Sequence, residues 1–190
     1  MHTPTTQARP SIYYTYEVFK PWLLSEHAQP TRQKVVIVGS GPAGMVTALE
    51  LARHGVASVV LSSELQFSQG SRAICFTRRS MEILQQVGVS DRMTEGGLPW
   101  RFGNSYYRGQ RVFRMEAPHD TDDRFFPIIN VQQQFMEEYL HDACKANPLI
   151  DFRWGNKVSK VDQKDGYAVL EVDTPEGLYT LESNWVVAAD

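Results

Sequence analysis

The clearest pattern of apolar positions lies in residues 35–61. Val35–Val38 is a continuous apolar run of the kind that fits a strand covered on both faces. A helical pattern follows, carrying Val46, Leu49 and Leu51 to a stop at His54–Gly55, and a second apolar run closes it at Val59–Leu61. Between the first run and the helix stand Gly39, Gly41 and Gly44, at the G-x-G-x-x-G spacing. Strand, glycine turn, helix and strand form the first βαβ unit of a dinucleotide-binding fold.

Downstream, Arg72–Gly88 places Met81, Ile83, Leu84 and Val87 at helical spacing and ends at Gly88, a C-cap. Residues 98–117 predict a hairpin turning at Gly109–Gln110. Ile128–Ala146 predicts an amphipathic helix whose apolar face holds Phe135, Met136, Tyr139, Leu140 and Ala143. Residues 150–183 alternate over short strands with turns at Asp165–Gly166 and Pro175–Gly177, a small antiparallel meander. Trp185–Ala189, WVVAA, has the pattern of a buried strand. The expected fold is α/β, a Rossmann-like parallel sheet joined to an antiparallel β-meander. A domain seldom stops inside a core strand, so the end at Asp190 points to a truncated domain of a longer protein. Residues 1–32 read as an arm. Its first ten residues are polar and expected to be disordered. Residues 11–24, SIYYTYEVFKPWLL, are too aromatic to leave in water and are expected to pack on the body, on a second copy in a homodimer, or on a further domain.

Composition narrows the partners. The chain has 190 residues, 42% hydrophobic and 22% charged, and a net charge of -3. That balance argues against nucleic acid or an anionic membrane surface. No apolar stretch reaches spanning length, and residues 1–30 lack the apolar segment of a signal peptide, so a cytoplasmic protein is expected. Cys75 and Cys144 lie far apart and outside any metal spacing, as free thiols would. His119, Asp120, Asp122 and Asp123 crowd a proline-bounded loop, but flexible loop carboxylates ordinarily stay solvated, and no metal is expected. His54 and His141 are assigned no catalytic role.

The glycines carry the chemistry. Gly39 permits a tight turn, Gly41 lets the backbone approach a pyrophosphate, and Gly44 lets the helix pack on the sheet. With Ser40, Pro42 and Ala43 they form the turn, and the N–H groups of Ala43–Met45 would face the phosphates at the positive end of the helix dipole. A dinucleotide fold usually closes its second strand with an acid that binds the adenosine ribose. Here that position falls on Ser62 or Ser63, and the first acid is Glu64. A serine is a weaker, neutral partner. Glu64 reaches the ribose if the strand end is shifted. Alternatively, the serines admit a 2′-phosphate with Arg72 as counter-charge.

In order along the chain, VVIVGSGPAGMVTALELARHGV, GSRAICFTRRSMEIL, INVQQQFMEEYL, a meander and VVAAD resemble the single-component FAD monooxygenases of the p-hydroxybenzoate hydroxylase (GR2) fold. The GSRAIC segment is most similar to the phenol and 3-(3-hydroxyphenyl)propionate hydroxylase branch. The resemblance covers about residues 33–190. It implies FAD as cofactor, NAD(P)H as co-substrate, and oxygen transfer from O2 to a small phenolic substrate through a flavin C4a-hydroperoxide. It implies an incomplete FAD domain over residues 33–190, with residues 98–127 reaching toward a substrate domain, and no activity for these 190 residues alone. Gly39, Gly41, Pro42, Ala43 and Gly44 look like the FAD pyrophosphate turn, and Ser62–Glu64 stand where the ribose acid belongs. Ser71 and Arg72 match the segment in which an arginine approaches the FAD phosphates. Gln133 matches a glutamine that touches the flavin, with Gln132 and Gln134 pointing elsewhere. Val158 resembles a residue whose backbone meets the adenine. Asp190 resembles the aspartate of a motif serving both FAD and NAD(P)H. Rival readings are a halogenase, epoxidase or dehydrogenase on the same FAD fold, an NAD(P) dehydrogenase without flavin, and a binding module that has lost its cofactor. The meander and the Gln133 helix speak against the second.

Overall fold

The first apolar run lies near the centre of a six-stranded sheet in the computed structural model, which describes residues 2–27, 32–70 and 72–190. Strand β1 (Gln33–Val38) leads through the glycine turn into α1 (Pro42–Arg53) and then β2 (Ser58–Leu61). The chain then builds β3 (Cys75–Thr77), α2 (Arg78–Gln86), α3 (Ser90–Gly96), β4 (Leu98–Trp100), β5 (Phe102–Tyr107), β6 (Gln110–Glu116), β7 (Ile128–Asn130) and α4 (Gln133–Lys145). It ends with β8 (Ile150–Arg153), β9 (Lys157–Lys164), β10 (Tyr167–Thr174) and β11 (Gly177–Ala188). Two compact units result. One holds Met1–Gln69 and Leu140–Asp190, the other Gly70–Tyr139.

The first unit contains the large sheet, ordered β8-β2-β1-β11-β10-β9. Its first four strands are parallel neighbours, and β11, β10 and β9 pair antiparallel. Two expectations are corrected. The IDFRWG segment is not part of the meander: β8 pairs parallel with β2, Ser58 opposite Ile150, because it is reached by a helical crossover rather than a tight turn. LYTLES and WVVAA are one strand, antiparallel to β10 over its first half and parallel to β1 over its second. The WVVAA run is also less buried than its composition suggests. Trp185 is 73% exposed, and Val186 packs half-buried against the core. An apolar run is buried only where another layer covers it.

Val36, Val59 and Leu61 join Leu170, Val172, Tyr179 and Leu181 in one buried cluster, which Val158 and Val38 flank. A second cluster, Leu65, Phe67 and Trp154, receives the aromatic arm. Phe19 stacks on Trp154 with ring centroids 4.4 Å apart, and its N–H donates to Leu65 O at 2.8 Å. Tyr16 is buried. Whereas Ile12 and Tyr13, expected to avoid water, are exposed, the aromatic segment from Tyr14 to Leu24 therefore packs on its own unit. Residues 2–9, expected to be disordered, are hydrogen-bonded to it as well: His2 N donates to Asp173 Oδ1 at 2.8 Å, and Arg9 N to Gln66 Oε1 at 2.9 Å.

In the second unit β3, β7 and β4 form a small antiparallel sheet. Its middle strand, β7, occupies the first residues of the segment expected to be wholly helical. The β-branched Ile128 and Ile129 suit a strand, and Asn130 Oδ1 accepts from Trp100 Nε1 at 2.9 Å. The helix begins only at Gln133. The hairpin β5–β6 turns at Arg108 (φ 48) and Gly109 (φ 77), one residue earlier than expected, with the paired positive φ of a type I′ turn. In the loop 118–127, Asp123 Oδ2 is paired to Arg78 at 2.8 Å.

Candidate dinucleotide site

From β1 the chain moves outward to β2 and β8 and returns through β11 on the other side of β1. That reversal opens a crevice at the carboxyl ends of β1 and β11, the place where open α/β sheets bind their ligands. The register pairs Val38 with Ala188, Ala189 N donates to Val38 O at 2.8 Å, and Gly39 N donates to Leu61 O at 3.0 Å. Gly39 thus sits among the ends of three strands. Its φ of +106 and the 2.6 Å that would separate a Cβ from Asp190 N and from the Ala189 carbonyl both exclude a side chain. Asp190, from the far end of the chain, is brought beside the turn in this way.

Gly44 is required by packing, since its Cβ would stand 2.0 Å from Gly39 O. Gly41 differs. It is the N-cap of α1, its φ is -70, and a Cβ there meets nothing within 4 Å. The space above it is open. One expectation about the donors is corrected: Met45 N–H is spent inside the helix on Gly41 O, at 3.0 Å. Pro42 has no N–H, so Ala43 and Gly44 carry the helix-end donors.

At the end of β2 the three candidates separate. Ser62 is 1% exposed, and its Oγ accepts from Ser40 Oγ at 2.8 Å. Its backbone is tied to the segment after β8, through Arg153 O at 2.9 Å and Asn156 N at 2.7 Å. Ser63 is half-buried, with its carbonyl on His2 Nε2 at 2.6 Å. Glu64 is exposed and pairs with Arg9 at 3.0 Å. Val158 packs on the cluster that includes Leu61, the last residue of β2.

Behind this strand end, Arg153 is buried. It binds Asp151 Oδ2 at 2.7 Å and donates to the Tyr179 hydroxyl at 3.3 Å, which donates to Asn156 Oδ1 at 2.8 Å. Burial pushes the Tyr179 hydroxyl above its ordinary pKa. His2, Arg9, Arg153 and Tyr179 were not singled out from the sequence. Apart from the Arg153–Asp151 pair, their partners lie tens of residues away, and no local spacing marks them.

The second unit holds the remaining candidates. Arg72 is exposed, and Ser71 lies outside the described residues. Gln133 is half-buried and donates from Nε2 to Glu137 Oε1 at 2.7 Å. Gln134 turns inward, 4% exposed, with its Nε2 on Gln132 Oε1 and its own Oε1 unpartnered. Among the described residues no group of three or more His, Cys, Asp or Glu side chains is placed to hold a metal, and no helix is long and apolar enough to cross a membrane.

Comparison with known proteins bears on this arrangement. Residues 32–190 match a family described as FAD binding domain. Para-nitrophenol 4-monooxygenase of Pseudomonas sp. (strain WBC-3) is 28% identical over 166 residues, covering 84% of this chain and 40% of that protein. A probable NADH-specific resorcinol 4-hydroxylase of Rhodococcus jostii (strain RHA1) is 31% identical over 160 residues, 82% of this chain and 30% of that protein. Among solved structures, p-nitrophenol 4-monooxygenase from Pseudomonas putida DLL-E4 superposes with a TM-score of 0.78 at 28% identity, covering 85% of this chain and 42% of that one. The chain spans less than half the length of these relatives.

Proposed function

The chain belongs to the FAD binding domain family, and from that membership we propose that it holds the FAD of a flavin-dependent monooxygenase that hydroxylates a phenolic ring with NAD(P)H and O2. The observation that carries the reading is the contrast among the glycines. Gly39 and Gly44 are closed by backbone, while Gly41 faces open space at the start of a helix. A pyrophosphate fits that opening, because it needs close backbone approach and unsatisfied N–H donors, and both are there. When bound, FAD supplies the redox and oxygen chemistry, which side chains do not.

The chain's own residues bind and orient. Ala43 and Gly44 N–H groups meet the phosphates, and Ser40, held by Ser62, keeps the turn in shape. Glu64 is the ribose partner, since Ser62 is sealed inside. Val158 lines the adenine side. Asp190, beside the turn, is the contact toward the co-substrate; for Ser71, Arg72 and Gln133 the family resemblance alone supports a phosphate or flavin role. The phenolic substrate class is supported by the relatives, whose names specify nitrophenol and resorcinol.

The test is a visible absorption spectrum of the purified chain mixed with FAD and desalted. Retained bands near about 370 and 450 nm are expected of bound flavin. A colourless protein that fails to retain FAD, also when extended to the length of its relatives, would refute the reading. Extended protein that binds FAD yet consumes no NAD(P)H with any phenol would remove the hydroxylase assignment alone.

A further inference from the structure

The N-terminal arm converges on one end of the site just described. The family match begins at residue 32, so the arm lies outside it. Its base is anchored by the Phe19–Trp154 stack and by Trp22 N on Trp154 O at 2.9 Å. From there residues 2–10 run along the segment that follows β2. His2 Nε2 meets Ser63 O at 2.6 Å while its backbone N–H reaches Asp173 at 2.8 Å. Arg9 contacts Glu64 at 3.0 Å and donates to Phe67 O. Gln66, 3% exposed, returns bonds to Gln7 O at 2.9 Å and Thr5 O at 3.3 Å. In a sheet of this order the phosphates lie at the glycine turn and the adenosine end extends over the carboxyl end of the second strand. The arm's bonds fall on that end.

The identity of the residue at the strand end makes this placement consequential. The position that ordinarily carries the ribose acid falls on Ser62, buried and bonded to Ser40, or on Ser63, half-buried with its carbonyl on His2. Glu64 is the first carboxylate after β2, and its side chain is half-exposed. Arg9, whose side chain is only 20% exposed, is the residue that fixes it. An ion pair with a half-exposed carboxylate contributes little to stability, so the pairing of Glu64 is better explained by orientation than by folding energy.

We propose that residues 2–10 form a strap over the adenosine end of the dinucleotide site, with Arg9 the positioning residue that presents the Glu64 carboxylate to the adenosine ribose. The proposal rests on the FAD reading for the ligand and on the arm contacts for the strap. A carboxylate held in place accepts a ribose hydroxyl without first losing side-chain freedom.

The experiment is equilibrium binding of FAD, ADP and FMN to the intact chain, Arg9→Ala, Glu64→Gln and the double variant, with urea midpoints recorded for each. Arg9→Ala is expected to weaken FAD and ADP in parallel by about tenfold, equal to about 1.4 kcal/mol. FMN, which lacks the adenosine, should respond to neither substitution. Glu64→Gln should reproduce the loss, and the double variant should add nothing to it, as expected of residues acting as one unit. Urea midpoints should stay put. If the intact chain binds FAD and Arg9→Ala binds it equally well or more tightly, the strap is refuted and the FAD reading survives. If ADP binds with the predicted Arg9 dependence while FAD does not bind, the strap stands and the flavin reading falls. Binding of neither FAD nor ADP overturns both.

Discussion

The Cβ that Gly44 lacks would stand 2.0 Å from the carbonyl oxygen of Gly39. This contact sets how closely α1 approaches the turn that precedes it, and it separates the glycines closed by backbone from Gly41, which meets open space. Gly44→Ala and Gly39→Ala are each expected to lose on the order of 3 kcal/mol or more, the first by overpacking against backbone and the second by adding a positive-φ penalty. Gly41→Ala meets open space, so its urea midpoint should report a loss of only about 1 kcal/mol, the cost of a poorer N-cap, while FAD affinity falls. A Gly41→Ala protein that unfolds as readily as Gly44→Ala would contradict the assignment.

Ser62 is the second test. Placing an acid at the position where dinucleotide folds usually carry one is not expected to improve cofactor binding here. The Ser62 side chain is sealed against Ser40, so Ser62→Glu buries a charge or distorts the strand end, at more than about 2 kcal/mol. Ser62→Ala removes the bond from Ser40 and a longer one to Glu64 O at 3.4 Å, and should cost about 1–2 kcal/mol. Chemical denaturation of both variants, with FAD titrations alongside, checks the order.

Stability should fall in mild acid because of His141. Burial lowers its pKa from 6.5 to about 4, among Phe19, Phe67, Phe152 and Trp154, whose Nε1 donates to its Nε2 at 3.3 Å. The unfolded chain takes up the proton near pH 6.5 and the folded chain does not until about pH 4. The stabilisation is therefore complete above pH 6.5 and drains away toward pH 4, by about 3 kcal/mol in all. His141→Phe should flatten the decline between about pH 6.5 and 5, above the range where carboxylates titrate. Urea midpoints measured across that range decide it.

The two thiols should be distinguishable without any cofactor. Cys75 is exposed, whereas Cys144 is buried and its pKa is pushed up to about 12. Because the thiolate is the reactive form, a native sample at pH 8 should react with one equivalent of a thiol reagent and take up the second only on unfolding. Cys75→Ser should abolish the fast equivalent. Two fast equivalents would mean that the Cys144 site opens readily.

The sequence by itself determined the βαβ unit, the steric need for Gly39 and Gly44, the helical stretches of α1, α2 and α4, and the hairpin. Each of these is a short-range matter. A strand run, a positive φ or an apolar helical face is decided by residues within a turn or two. Tertiary structure alone decided that β8 joins β2 rather than the meander, that two apolar runs fuse into β11, and that Ser62 is spent on Ser40. It also decided that Asp190 meets Gly39 and that the arm ends against Glu64. An apolar run fits equally well beside several partners, and a polar side chain has no address until its neighbours are placed. Such choices follow from which distant surfaces are covered together, and that is a property of the packed whole.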